Sequence, residues 1–228
     1  METLFVELVA DGAFMLTGGL AVSLLLVMSG ETSSLLVTDF EAIWRQPRLH
    51  AASTILGAPA LIAVLWIAVR MAGRGFAQYL ALNWPTRDEV VIALGVVIVF
   101  LTIEAFVTIG LGMARPQTGP AFVVGGAIGL ATWAVAACVV GPVLEEFVFR
   151  GFMFRGWSQA VGPTAAIVLT SALWAIEHSQ YGWYERSWIF ATGLVLGYFR
   201  YRTNSTWLAV VTHSAINTVV LFLSGPYV

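Results

Sequence analysis

The chain contains no lysine and little charge of any kind. Its 228 residues include 11 basic side chains, all arginine, and 13 acidic ones, so 11% of the residues are charged. A soluble domain carries about 25%, so an ordinary water-facing surface is excluded, and the 59% hydrophobic content excludes a disordered chain. A net charge of −2 without a basic run argues against nucleic acid as a partner. The single Cys138 excludes a disulfide framework and a CxxC metal or redox pair. A polytopic membrane protein remains, as one integral domain over residues 1–228.

Long stretches with few charges mark the expected membrane helices. A helix crosses the bilayer core with about 20 apolar residues, and continuous apolar runs favour helices over a barrel of alternating strands. We expect an all-α transmembrane bundle of about seven helices. Six or eight are the alternatives, since the sixth run is short and Gly141-Pro142 could break the fourth. Residues 72–89 are expected to be a polar loop. The candidate runs are 12–30, 51–69, 90–114, 116–144, 156–176, 187–199 and 203–228.

The first run and the glycine pairs give two further expectations. Glu2, Glu7 and Asp11 precede the first run without a basic segment, which is untypical of a signal peptide and predicts a retained helix. Two glycine pairs, Gly125 with Gly129 and Gly193 with Gly197, have the GxxxG spacing that lets helix backbones approach closely.

Two adjacent glutamates follow the fourth run. Ionisable groups at membrane depth are costly and usually functional. Neighbours on a helix point about 100° apart, so Glu145 and Glu146 cannot do the same job. Glu146 and Arg150 are spaced i,i+4 and can pair, which leaves Glu145 for chemistry. The alternative is a helix end at which both acids meet water.

Two histidines and an amide lie in the later runs. His178 ends the fifth run, where the alternative is an interfacial residue that opens an aromatic loop. His213 and Asn217 share a helix face by i,i+4 spacing, and there the alternative is a hydrogen bond between helices. Glu104, in the third run, is expected to be structural.

The spacing along the chain predicts that these groups converge. The midpoint between Glu145 and His178 falls at Val161-Gly162, beside Pro163, where a turn is expected. The two residues would then lie at equal height on a helical hairpin, and the depth of His213 in its helix can match that height.

Such a site could hydrolyse an acyl bond in two ways. With zinc, Glu145, His178 and His213 would be three ligands that leave a fourth position for water. Without metal, Glu145 assisted by His178 would be the general base for a water, and His213 with Asn217 would donate to the oxyanion. The HExxH and GxSG motifs are absent, and no aspartate lies within the apolar runs.

The glutamate motif resembles that of a known family. EExxxR at Glu145, Glu146 and Arg150, with Phe149 and Gly151 beside the arginine, resembles the first motif of the CPBP family. That family comprises the CAAX prenyl endopeptidases and the bacteriocin-processing or Abi proteins.

The second and third motifs extend the resemblance. FxxxH is matched by Trp174 and His178, with tryptophan in place of phenylalanine, and HxxxN by His213 and Asn217. The resemblance covers a catalytic core at about residues 120–224, whereas residues 1–119 are expected to be transmembrane helices without a signature.

The resemblance implies a multi-pass intramembrane endopeptidase of a prokaryotic cell membrane. Its expected substrates are membrane-associated peptides or proteins, and membrane lipid is its other expected partner. The family was named a metalloprotease family, so Zn²⁺ and a metal-free water are both open. A non-catalytic scaffold or bacteriocin-immunity protein of the same fold is the alternative, and a transporter ranks last. The catalytic residues carried over are Glu145, His178, His213 and Asn217, with Glu146 and Arg150 as supporting residues.

Overall fold

The computed structural model describes residues 2–28, 47–113 and 126–223, and over these ranges it contains eight helices and no strand. This confirms the all-α expectation. The helices are α1 (Glu2–Met28), α2 (Pro47–Met71), α3 (Phe76–Tyr79), α4 (Arg87–Gly110), α5 (Gly126–Val161), α6 (Pro163–Glu177), α7 (Trp183–Thr203) and α8 (Thr206–Leu223).

Five of these helices are long and apolar enough to cross a membrane: α1, α2, α4, α5 and α8. Their outward faces are apolar, as on α4, where Ile98 is 67% and Phe106 is 72% exposed. Helices that are apolar on faces away from the protein core suit lipid. The chain is therefore a multi-pass membrane protein. α6 is apolar but has 15 residues, and α7 carries arginines at both ends, so neither reaches the length and hydropathy of a full span.

The described chain divides into two compact units. The first contains α1, α2, the part of α5 before Glu145 and the part of α8 from Asn217 onward. The second contains α3, α4, the rest of α5, α6, α7 and α8 as far as Ile216. In the first unit α1 packs on α2, and Val22 and Leu49 form a small core between them.

The α5–α6 hairpin of the second unit turns where the sequence predicts. α5 ends at Val161, Gly162 adopts a φ of 81°, and Pro163 occupies the first turn of α6. A positive φ favours glycine, and proline suits a helix start because its missing N–H would be unsatisfied there. The expected turn at Val161-Gly162 is confirmed.

The glycine pair on α7 allows a close approach to α6. A Cβ on Gly193 would lie 2.8 Å from Ser171 Cβ, and one on Gly197 would lie 2.9 Å from Ile167 Cγ2. No other residue fits these positions without movement. This confirms the packing role predicted for this pair, whereas Gly125 of the other pair lies outside the described residues.

The break at Gly141-Pro142 that the sequence left open as an alternative does not occur. α5 runs continuously through it, and a π-helical stretch at Ala136–Val140 comes just before, with the Gly141 N–H bonded to Ala136 O five residues back. Pro142 has no N–H and its ring crowds the preceding turn, and a wider turn there accommodates the ring. A second π-helical stretch spans Phe147–Met153.

The segment 72–89 is more ordered than the polar loop expected from its sequence. It contains α3, and the two residues that follow α3 are buried, with Leu80 at 0% and Ala81 at 3% exposure. Thr206 at the start of α8 donates its N–H to Ala81 O at 2.9 Å and its hydroxyl to Leu80 O. The polar composition of this segment could not predict these hydrogen bonds, because their acceptors are backbone carbonyls, which every residue has.

Candidate active site

The predicted pair of Glu146 and Arg150 forms at the centre of the second unit. Both side chains are fully buried, and Arg150 Nη1 donates to Glu146 Oε1 at 3.0 Å. Arg150 Nη2 donates to the carbonyl of Gly193 at 3.4 Å. A buried carboxylate requires such partners. The i,i+4 spacing on α5 therefore gives an ion pair, and Gly193 ties it to α7.

His213 joins this pair on α8. Its Nδ1 lies 2.9 Å from Glu146 Oε1, the same oxygen that Arg150 contacts. An ionised carboxylate only accepts, so Nδ1 carries the proton and donates. The second ring nitrogen, Nε2, is left for another partner. The sequence gave His213 no partner in the first motif.

Trp174 connects Glu145 with His178. Its indole Nε1 donates to Glu145 Oε2 at 2.6 Å, and its backbone carbonyl lies 2.7 Å from His178 Nδ1. A carbonyl has no proton to give, so His178 Nδ1 is the donor, and the lone pair of the neutral tautomer with this bond is on Nε2. One residue of α6 thus contacts both members of the predicted water-activating pair.

The Trp174 ring also packs against Arg150 and the two histidines. Arg150 Cζ lies 4.5 Å from the ring centroid, and the His178 and His213 rings stand edge-on at centroid distances of 5.1 and 5.2 Å. The indole is 3% exposed. In the sequence, Trp174 stood out only because the second motif of the family has phenylalanine at this position. The signal that could have revealed its role is the indole N–H, which needs an acceptor when it is buried.

Asn217 and Glu104 have hydrogen-bond partners other than the residues described above. Asn217 belongs to the first unit, where its Nδ2 donates to Ala137 O at 2.8 Å, the helix-to-helix bond that was the structural alternative. Glu104 accepts from Thr108 Oγ1 at 3.1 Å, and Thr108 Oγ1 lies 2.7 Å from the Tyr184 hydroxyl, which joins α4 to α7. This fits the structural role expected for Glu104.

The segment after α6 is held in place by Arg186. Its Nε and Nη2 donate to the carbonyls of Tyr181 and Ser179 at 2.8 and 2.7 Å. The Tyr181 ring stacks on His178 with 6.1 Å between centroids and 19° between planes. Burial raises the pKa of Tyr181, and the negative charge of Glu145 raises it further. Tyr181 is therefore a neutral neighbour of both residues.

The three residues considered as zinc ligands do not form a metal site in the arrangement found. Zinc binds nitrogen and oxygen ligands at about 2.0–2.2 Å, so their donor atoms must be close together. Within the described ranges, Glu145, His178 and His213 do not form a set whose ligand atoms all lie within 4.8 Å of one another. One Glu145 oxygen is bonded to Trp174 instead. The arrangement does not fit zinc, and no step below uses a metal.

Comparison with known proteins supports the resemblance drawn from the three motifs. The family model described as "Type II CAAX prenyl endopeptidase Rce1-like" matches residues 127–219, less than half of the chain. The matched segment includes every residue placed above in the first, second and third motifs. No curated protein and no solved structure matches the chain.

Proposed function

Residues 127–219 form a domain of the Rce1-like type II CAAX prenyl endopeptidase family, which is a protease family, and on this premise we propose a metal-free hydrolytic mechanism for the chain. Membership implies an intramembrane protease with a protein substrate. The proposed reaction is hydrolysis of peptide bonds in membrane-associated peptides or proteins by a water that Glu145 and His178 activate.

Glu145 is the general base in this proposal. Trp174 holds its Oε2, so Oε1 is the oxygen that accepts the proton of the attacking water. His178 has Nδ1 fixed on the Trp174 carbonyl, so its Nε2 lone pair accepts a hydrogen bond from the same water and orients it. The proton taken by Glu145 then passes to the leaving amine, which restores the carboxylate.

His213 and Asn217 are the proposed donors to the oxyanion. With Nδ1 bonded to Glu146, His213 has Nε2 available, and when Nε2 is protonated it would donate to the oxyanion, whose negative charge balances the imidazolium. Asn217 uses one of its two N–H bonds on Ala137 O and retains the other. Glu146 and Arg150 act as supporting residues that hold His213 and Trp174.

The observation that carries the proposal is the direct bond from Trp174 to Glu145, with His178 on the carbonyl of the same residue, inside the family-matched segment. The two motifs are 29 residues apart in sequence, yet they meet at hydrogen-bond distance. A water-activating pair requires such proximity.

The test compares new protein termini in native membranes that carry the wild type or Glu145→Gln at equal abundance. General base catalysis contributes about 10²- to 10⁴-fold, so termini made by the wild type should fall at least about 100-fold. Glu104→Gln is the matched control, because it neutralises another glutamate within a membrane helix, and it should leave these termini unchanged.

Two results would overturn the proposal. Identical termini from a folded Glu145→Gln protein would favour the scaffold or immunity alternative and make Glu145 structural. Loss of wild-type cleavage on treatment with a chelator, with recovery on addition of Zn²⁺, would show that the metal-free mechanism is wrong while leaving the protease assignment intact.

A further inference from the structure

Trp174 lies where the three predicted motifs meet, and the proposed chemistry has so far given it no function. Its side chain contacts Glu145 and Arg150, and its backbone contacts His178. The phenylalanine found at this position in the family's motif could fill the same space, but it has no N–H to donate.

We propose that Trp174 is a positioning residue that sets both members of the water-activating pair, with its indole N–H holding Glu145 and its carbonyl holding His178. This inference rests on the proposed function. It further assigns the Glu146–Arg150 pair an indirect role, which is to hold the indole in place.

The indole bond fixes one degree of freedom that a lone carboxylate would keep. A glutamate side chain has three rotatable bonds, and its two oxygens exchange places when the terminal bond turns. The 2.6 Å contact to Nε1 is a hydrogen bond to an ionised acceptor, a strong class. It ties Oε2 to α6 and so leaves Oε1 as the base.

The carbonyl bond fixes the tautomer of His178. Trp174 and His178 lie four positions apart at the end of α6, so the imidazole can reach the carbonyl one helical turn before it. The 2.7 Å bond from Nδ1 uses that carbonyl as its acceptor and leaves the lone pair of the neutral ring on Nε2. The spacing of the second motif thus follows from the geometry of a helix end.

The indole itself is held by Arg150. The guanidinium carbon lies 4.5 Å from the ring centroid, close enough for a cation–π interaction in a buried environment. Arg150 is fixed in turn by Glu146 Oε1 and Gly193 O. A continuous series of contacts therefore runs from the supporting ion pair through the indole to the base.

The decisive variant removes the N–H and keeps the ring. Incorporation of 3-benzothienylalanine at position 174 replaces the indole N–H with sulfur at nearly the same size. The probe is a fluorogenic peptide built on a terminus that Glu145→Gln abolishes. A hydrogen bond to a charged group is typically worth a factor of about 10 to 100, so kcat should fall by that factor while KM stays within twofold.

The matched control is the same replacement at Trp207, whose ring packs against Phe147 at 5.5 Å and Trp84 at 5.8 Å. It should leave kcat unchanged. Trp174→Phe is the second variant, since it also lacks the donor and has the residue that the family motif carries, and it should reproduce the loss in kcat with a folded protein.

The outcomes separate this inference from the proposed function. If Glu145→Gln is inactive but both Trp174 variants keep full kcat, the positioning role is wrong and the protease assignment stands. A rise in KM with unchanged kcat would overturn it in favour of substrate binding. If Glu145→Gln cleaves like the wild type, the proposed function itself fails. In the Glu145→Gln background the sulfur replacement should have no further effect on kcat, because the base that the indole N–H positions is gone.

Discussion

Replacing Arg150 with methionine should strongly destabilise the second unit. The change leaves the Glu146 carboxylate fully buried and without its arginine, which typically costs about 3–5 kcal/mol. The lower end is expected, because His213 Nδ1 still donates to the same Glu146 oxygen at 2.9 Å. Methionine restores much of the lost volume, so a cavity contributes little, although the contact with the Trp174 ring is lost.

The assay is reversible unfolding in detergent, followed by near-ultraviolet circular dichroism as denaturant is added. The double variant Glu146→Gln with Arg150→Met removes both charges, so its loss should be smaller than the sum of the single losses by about 1–3 kcal/mol. Arg150→Lys keeps the charge but not the planar group over Trp174 and should be intermediate. Wild-type stability in Arg150→Met, or additive losses in the double variant, would refute the reasoning.

Two further predictions concern packing and pH. Gly193→Ala places a methyl group 2.8 Å from Ser171 Cβ and 3.1 Å from Arg150 Nη2, so unfolding free energy should fall by about 1–3 kcal/mol and Ser171→Gly should recover part of it; no recovery would locate the clash elsewhere. Burial and the charge of Glu145 raise the pKa of Tyr181 in the folded protein, so the folded state holds this proton more tightly than the unfolded chain, whose tyrosine pKa is about 10. The stabilisation is present below about pH 10 and is lost as pH rises above it. Between about pH 9 and about pH 11 the wild type should lose more thermal stability than Tyr181→Phe, and parallel curves for the two proteins would contradict this.

Elements set by local spacing could be predicted from the sequence. The turn at Gly162 follows from Gly-Pro between two apolar runs, and the Glu146–Arg150 pair follows from i,i+4 spacing. The close approach at Gly193 follows from the GxxxG pattern. Each depends on residues near in sequence, for which helix geometry leaves few alternatives.

Contacts between distant segments could not be predicted in the same way. Nothing in the spacing of Trp174 and Glu145 indicates that an indole N–H would select that carboxylate oxygen. The sequence left open whether α5 breaks at Pro142, because a proline favours a break and the compensating π-helical turn has no signature in residue type. The catalytic roles of His213 and Asn217 stay predictions from the third motif, beside the hydrogen bonds that the structure shows for both residues.

The π-helical stretch at Phe147–Met153 has a consequence for how this domain can vary in length. A π turn holds one more residue than an α turn, so deletion of a single residue within the stretch would tighten it to an ordinary helix. Glu145 and Glu146 would keep their positions, and the part of α5 after the stretch would keep its facing direction. A one-residue deletion in an ordinary α-helix would instead turn the following residues by about 100°. Homologous chains are therefore expected to differ by one-residue gaps in this stretch, and to be intolerant of gaps between Trp174 and His178.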